Sequence, residues 1–286
     1  MPAIGAYRFE IIATAAPRGA LEFSHGEGFH SDPGMSRFAS TSRAAEARRL
    51  ISMTDLTSLS ESDDAASVRT LSALARSAPV KPAAICIWAR WIPVALEALQ
   101  GTDIAVCAVA NFPEGAAAPD VAAAQTAAAV AAGAGEVDVV FPYRAMLAGD
   151  SGVGLALVRG CREACGERAL LKIILETGQL LGAENIRRAA EVAINGGAQF
   201  LKTSTGKTQP AATPEAAAVL LEVIAQASAR GLSIGFKASG GIRTIDDASV
   251  YLTLYEQRFG SGSASAGNFR IGASGLFKDL MAAVGA

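Results

Sequence analysis

The chain has 286 residues, 51% of them hydrophobic, enough to bury the core of a single α/β barrel, which commonly takes about 250 residues. Its formal net charge of −2 and the lack of any Lys/Arg-rich block leave no electrostatic footprint for nucleic acid or an anionic membrane. No apolar run reaches the roughly eighteen residues of a membrane span, and the beginning of the chain lacks a charged-then-apolar signal pattern, so a cytoplasmic protein is expected.

Residues 1–42 scatter Gly, Ser, Pro and His without a helical or strand period, and read as a poorly structured leader ahead of one domain over 43–286. Both histidines, His25 and His30, fall in that leader. The body therefore has no imidazole, and any general acid or base there must be a carboxylate, a lysine, a tyrosine or a water. The four cysteines, Cys86, Cys107, Cys161 and Cys165, contain no C-x-x-C pair and read as reduced, buried thiols. With no His/Cys cluster at ligand spacing, neither a metal nor another cofactor is expected.

From residue 41 the pattern becomes regular. A helix over 44–50 precedes strand-like 53–57, and a helix over 61–76 follows. The alternation then runs through strands at 83–88, 104–110, 136–141, 170–175, 200–204, 233–238 and 269–272. Helices lie between and after them at 93–99, 119–132, 155–165, 183–195, 214–229, 245–255 and 276–284. Eight βα units joined by short Gly-rich connections predict a parallel sheet closed into a (β/α)8 TIM barrel, with an extra helix at the N-terminal side. The competing open doubly wound sheet would carry G-x-G-x-x-G after its first strand, and none is present.

Side chains alternate across a strand, and in a barrel every second residue points into the lumen. Over 136–141 the apolar set Val137, Val139 and Phe141 suits the helix layer, which turns Glu136, Asp138 and Val140 inward. Over 170–177, Leu171, Ile173 and Leu175 face out, and Lys172, Ile174 and Glu176 face in. Lys202 shares its face with Phe200 and Ser204, and Lys237 lies opposite Ile234, Phe236 and Ala238 in parity. Four consecutive strands thus aim Asp138, Lys172, Lys202 and Lys237 at one lumen. A structural ion-pair network is the plain alternative, but charges so numerous in a core cost more than hydrophobic replacements would. Schiff-base chemistry is what such a cluster suits. A lysine at its ordinary pKa of about 10.4 is almost wholly protonated at pH 7, and a like charge with desolvation releases the amine. Asp138 would move protons, and Lys202 and Lys237 remain equal candidates for the nucleophile.

Glycines supply a second half. Thr205-Gly206-Lys207 follows one strand, Gly240-Gly241-Ile242-Arg243 the next, and Gly272-Ala273-Ser274-Gly275 the last. Late barrel loops with free N–H groups, one of them opening a helix, commonly cradle phosphate, so a sugar phosphate is the expected ligand.

The segments Asp55-Leu56-Thr57, Ala84-Ile85-Cys86-Ile87, Asn111-Phe112-Pro113, 136–144 (EVDVVFPYR), 172–178 (KIILETG), 202–207 (KTSTGK), 235–244 (GFKASGGIRT) and 270–274 closely resemble deoxyribose-phosphate aldolase. The resemblance runs from about residue 48 to the end of the chain. It implies a class I aldolase of (β/α)8 fold that reversibly splits 2-deoxy-D-ribose 5-phosphate into acetaldehyde and D-glyceraldehyde 3-phosphate. By motif, Lys202 is then the Schiff-base lysine, Lys237 the second lysine that disfavours its charged form and joins the proton relay, and Asp138 the acid/base partner. Asp55 matches a residue that helps hold the substrate hydroxyl. Cys86 and Lys172 match pocket lining, and Thr205, Gly206, Lys207, Gly240, Gly241, Gly272 and Ser274 the substrate and phosphate contacts. The family also implies a homo-oligomer, dimer or tetramer. Two departures stand out: Ser274-Gly275 replaces a common pair of serines, and the chain reaches Ala286 without the tyrosine-bearing tail of some relatives. Another Schiff-base sugar-phosphate or transaldolase-like enzyme on the same barrel, or a non-catalytic sugar-phosphate binder, are the rival readings.

Overall fold

Eight short, mostly apolar strands that each run into a helix bury both faces of their sheet here by closing it, with side chains filling the inside and helices covering the outside. The computed structural model describes residues 33–285; His25, His30 and most of the expected leader lie outside them. The strands β1 (Thr54–Thr57), β2 (Ala84–Trp88), β3 (Ala105–Ala110), β4 (Glu136–Val140), β5 (Leu170–Ile174), β6 (Phe200–Lys202), β7 (Gly235–Ser239) and β8 (Phe269–Ala273) form a closed parallel barrel in sequence order. The helices are α1 (Pro33–Ser52), α2 (Ala65–Ser77), α3 (Ile92–Ala98), α4 (Pro119–Ala131), α5 (Tyr143–Leu147), α6 (Ser151–Cys165), α7 (Ala183–Asn195), α8 (Pro214–Ala229), α9 (Ile245–Phe259) and α10 (Leu276–Gly285). The expected TIM barrel is the fold observed. No helix among the described residues is long and apolar enough to cross a membrane.

Side-chain caps set four of the helix starts. Asp64 accepts from the Ser67 N–H, Asp150 from Val153 and Thr213 from Ala216, each satisfying a donor that the first turn leaves free. Thr244 and Asp247 cap one another's backbone in a full capping box. The Asp150 cap starts α6 four residues before the position that periodicity gave, because Gly152 and Gly154 interrupt the apolar pattern there. Gly154 is small for a reason of packing, since a Cβ on it would lie 2.5 Å from the Phe141 ring.

Other elements also differ from expectation: α2 starts at Ala65 rather than 61, after its Asp64 cap, and α9 runs on to Phe259 rather than 255. The single-turn α5 follows β4 and is too short to show a period. Helix α1 begins at Pro33 rather than at residue 44, inside the span read as a leader. Its second half buries Ala47, Leu50 and Ile51 and lies along α9 and α10. There Arg43 pairs with Asp246 at 3.0 Å, Arg49 pairs with Glu256, and Ser249 donates to Glu46 at 2.5 Å.

The main core is the cylinder between strands and helices, where Val137, Val139, Leu171, Ile173, Leu201, Phe236, Ala238 and Ile271 meet helix residues such as Ala122, Ala190 and Leu220. Inside the barrel Phe200 plugs the lumen below Lys202. Its register partner is Gly235, and a Cβ there would lie 2.3–2.5 Å from three atoms of the Phe200 ring. Gly235→Ala is therefore expected to cost about 1–3 kcal/mol by overpacking, read as a lower urea midpoint at unchanged slope. An unchanged midpoint would show that Phe200 has room to move.

Candidate active site

Strand register links the inward residues of β4 to β8 around the lumen. Asp138 is paired with Lys172, Phe200 with both Lys172 and Gly235, and Lys237 with both Lys202 and Arg270. The parity read from the sequence is thus the arrangement found, and it converges on the Asp138 carboxylate. Its Oδ2 accepts from Lys202 Nζ at 2.9 Å and from Lys237 Nζ at 2.7 Å, while Oδ1 accepts from Lys172 Nζ at 2.9 Å and from the Cys107 thiol at 3.2 Å.

A second shell of charge lies beneath. Asp55 pairs with Lys237, with Arg270 at 2.5 Å and with Lys172 at 3.5 Å; Glu136 pairs with Lys172 at 2.5 Å and with Arg270 at 2.9 Å. Strand parity turns Glu136 inward without giving it a role, and Arg270 has none in the sequence beyond its place in the segment 270–274. The parity of β8 would have found Arg270, which is the register partner of Lys237. Gly272 serves this network as well as the cleft, for a Cβ on it would lie 2.9 Å from Lys237 Cε and block that side chain's path to Asp55.

The three lysines are not equivalent. Lys172 touches three carboxylates and Lys237 two, and both are fully buried. Lys202 touches only Asp138 and lines the open cleft. Among these side chains Lys172, Lys202, Lys237 and Arg270 carry four positive charges against the three carboxylates of Asp55, Glu136 and Asp138. Burial pushes the Asp138 pKa up, but Lys172, Lys202 and Lys237 together hold it well below the carboxylate range. Asp55 is lowered as well: burial opposes its ionisation, and Lys237, Lys172 and Arg270 outweigh burial. Burial alone would depress Lys172 and Lys237, yet Asp138 and the neighbouring acids raise both above the usual lysine value.

Above Lys202 opens a cleft of about 640 Å³, lined by Thr205, Gly206, Lys207, Gly240, Gly241, Gly272 and Ser274 together with Ser239 and Arg243. Its charged lining residues are Lys202, Lys207 and Arg243, with no carboxylate among them. The loops after β6 and β7 meet glycine to glycine: a Cβ on Gly240 would fall 2.7 Å from Ala211 Cβ and 3.2 Å from Gly206 Cα. A Cβ on Gly241, at φ +83°, would meet nothing within 4 Å, so that side of its backbone is open. Lys207 Nζ donates to the Leu59 carbonyl at 2.8 Å across the mouth. Glu176, buried and left-handed at φ 55°, accepts from the Thr205 hydroxyl at 2.5 Å and from its N–H at 3.3 Å, so it fixes the loop that carries Gly206 and Lys207. Asp55, Cys86 and Lys172, expected as substrate or pocket contacts, lie below this cleft and do not line it.

Potential metal donors that the linear spacing did not reveal do converge here, as Cys86, Cys107 and Asp138 and as Asp55, Cys107 and Glu136. Their carboxylates already face Lys172, Lys202, Lys237 or Arg270, so a divalent ion would have to displace ammonium and guanidinium groups. This donor set fits the cations of the chain itself.

Fold and site together define a TIM-barrel enzyme architecture, with buried lysines in the lumen and a positively lined cleft at the ends of the last strands. The DeoC/LacD family aldolases match residues 49–267, and the chain belongs to that family and is an aldolase, a lyase. Solved structures agree. A deoxyribose phosphate aldolase from Aeropyrum pernix, described as a tetramer, is 25% identical with a TM-score of 0.67, covering 87% of this chain and 97% of that one. A Coccidioides immitis protein provisionally described as a deoxyribose-phosphate aldolase is 27% identical with a TM-score of 0.71, covering 88% and 97%. A Toxoplasma gondii protein provisionally described in the same way shares the fold at TM-score 0.80 and 24% identity, covering 87% and 97%.

The shifted acids and lysines fix how the site should respond to pH. A carboxylate with a depressed folded pKa contributes stability above its unfolded value of about 3.9 and loses it as pH falls. A raised lysine contributes below about 10.4 and loses it as pH rises. The stability difference between the protein and its Asp138→Asn variant, from urea midpoints, is therefore expected to stay level between about pH 5 and 9 and to shrink below about pH 4. A difference that already fades between pH 7 and 5 would mean that Asp138 is not held ionised by the lysines.

Proposed function

We propose that the chain is a class I aldolase that forms a Schiff base on Lys202 and reversibly cleaves 2-deoxy-D-ribose 5-phosphate into acetaldehyde and D-glyceraldehyde 3-phosphate. The observation that carries this reading is the sharing of one Asp138 oxygen by Lys202, at the mouth, and Lys237, behind it. Lys202 touches one carboxylate, against two for Lys237 and three for Lys172, and it is the one of the three lysines that lines the cleft. This contact pattern supports the reading of Lys202, rather than Lys237, as the nucleophile.

In this reading the free Lys202 amine attacks C1 of the open-chain sugar. The carbinolamine oxygen takes a proton and leaves as water, giving an iminium ion. Removal of the C3 hydroxyl proton then breaks the C2–C3 bond, whose electrons pass to the nitrogen as an enamine while glyceraldehyde 3-phosphate departs. Protonation at C2 and hydrolysis release acetaldehyde and the amine. Protons pass through Asp138 Oδ2, with the Lys237 ammonium as their reservoir, because both nitrogens reach that atom. Gly240, Gly241, Ser274 and the cations Lys207 and Arg243 receive the phosphate, and the missing second serine at Gly275 leaves one hydroxyl contact fewer. Such an enzyme would work in cytoplasmic deoxyribose-phosphate and deoxyribonucleotide catabolism, without metal or other cofactor. It would do so as a homo-oligomer, in line with the tetrameric Aeropyrum pernix relative.

Borohydride added with deoxyribose 5-phosphate or acetaldehyde is expected to inactivate the protein and to leave added mass on the peptide containing Lys202, with Lys202→Met abolishing the adduct. Mass on Lys237 instead would reverse the roles. Consumption of a ketose donor in place of acetaldehyde would make it a transaldolase-like enzyme, and binding without turnover would make it a sugar-phosphate binder.

Gly241→Val would fill the open face where the anion approaches. It is expected to raise KM for the phosphorylated sugar by about 10- to 100-fold, the value of one or two hydrogen bonds to a charged group. Unphosphorylated deoxyribose should be much less affected. Equal losses on both would place the phosphate elsewhere.

A further inference from the structure

The lumen has a second chemistry that the aldol reaction does not use. Cys86 on β2 and Cys107 on β3 are register partners, both fully buried. Paired residues on adjacent strands sit about 4.8 Å apart at Cα, inside the 4.4–6.8 Å that a disulfide spans. Their sulfurs lie within 4.8 Å of each other and of an Asp138 oxygen, so side-chain rotation toward one another is the movement that a bond requires. The two belong to a small lumenal cluster with Leu59, Ala84 and Val109, next to the charged side of the barrel.

Their surroundings favour reaction. The Cys86 thiol is lowered below its ordinary pKa, chiefly by hydrogen bonding to Cys107, with Lys237 and Lys202 nearby adding to the effect against burial. Cys107 is raised by burial and by Cys86, which leaves it as the protonated partner. Cys161 and Cys165, by contrast, are pushed up to about 11, first by burial within the helix layer.

We propose that Cys86 and Cys107 are a reversible redox pair, oxidised to a disulfide by a hydroperoxide with loss of aldolase turnover. Hydrogen peroxide is smaller than any carbonyl substrate that reaches Lys202; Cys86 lies fully buried below that cleft, so the reaction requires a transient opening of the lumen between them. The Cys86 thiolate attacks one peroxide oxygen, the O–O bond breaks, and with a proton the products are a sulfenic acid and water. The Cys107 sulfur then attacks the Cys86 sulfur, the S–O bond breaks, and a second water leaves. Two thiols have lost two hydrogens, and the peroxide has accepted two electrons to become two waters. Cys107 can then no longer donate to Asp138 Oδ1 at 3.2 Å, and Lys172 Nζ loses the thiol sulfur now 3.4 Å away. The carboxylate that serves Lys202 and Lys237 is left with one donor fewer.

The effect on turnover rests on the aldolase reading; the disulfide itself does not. The full chain is treated with a small excess of hydrogen peroxide. The expected result is an intact mass lower by two hydrogens, a non-reduced peptide map linking Cys86 to Cys107, and activity reduced on the order of tenfold, as for loss of one hydrogen bond to a charged group. Dithiothreitol should restore both mass and rate. Cys107→Ala and Cys107→Ser, each compared with its own reduced rate, should lose this reversible response, while Cys161→Ala/Cys165→Ala should keep it. Absence of the linked peptide, a linked protein of unchanged rate, or the same reversible loss in the Cys107 variants would overturn the proposal. A linked pair in a protein that never cleaves deoxyribose 5-phosphate would overturn the effect on turnover together with the aldolase reading. An active enzyme without the link would overturn only the redox pair.

Discussion

One carboxylate shared by three ammonium groups is the constraint on which the rest of this barrel depends. Asp138 sits fully buried where Lys172, Lys202 and Lys237 all reach it. Each of these charges alone would be too costly to bury, and removing the acid would leave three cations facing one another in a medium that screens them poorly. Asp55, Glu136 and Arg270 complete the set by tying Lys237 and Lys172 down from below. A lumen filled with leucine and valine would stabilise the fold better, so the charges are retained for what they do at the one place where they meet the cleft.

That place is Lys202. Its carboxylate contact is single, whereas its two fellows are held by several acids, and it is the one of the three lysines that lines the cleft. Small residues make this geometry possible. Gly235 gives Phe200 its space beneath Lys202, Gly272 lets Lys237 pass to Asp55, and Gly206 and Gly240 let two loops touch through their backbones. The rim is then free of negative charge and rich in N–H groups, which suits an anion held at arm's length from the amine. Glu176 keeps that rim in place from behind, through Thr205 and in a left-handed backbone that costs something of order 1 kcal/mol to hold.

The other half of the lumen is built differently. Cys86, Cys107, Val109 and Leu59 present sulfur and carbon where β4 to β8 present charge. Cys107 belongs to both halves, since its thiol faces Asp138 on one side and Cys86 on the other. The electrostatics of the lysines and the state of the thiols are therefore coupled through one atom, Asp138 Oδ1.

The barrel and the inward side of its strands are legible in the amino-acid order, because the two-residue period of a strand and the caps of a helix are local properties. Asp138, Lys172, Lys202 and Lys237 could be placed in one lumen on that ground, and Thr205 to Lys207, Gly240, Gly241 and Ser274 at one rim from their positions after the late strands. Only the tertiary structure decided who touches whom. Asp55 reaches Lys237 from 182 residues away, Arg270 reaches both Asp55 and Glu136, and Cys86 meets Cys107, because closing eight staggered strands fixes distances across the barrel that no local period encodes. The same closure sets Lys202 at the mouth and Lys172 and Lys237 at the floor, and puts Asp55, Cys86 and Lys172 beneath the cleft. Depth along the barrel axis depends on strand tilt and shear, which are properties of the assembled sheet.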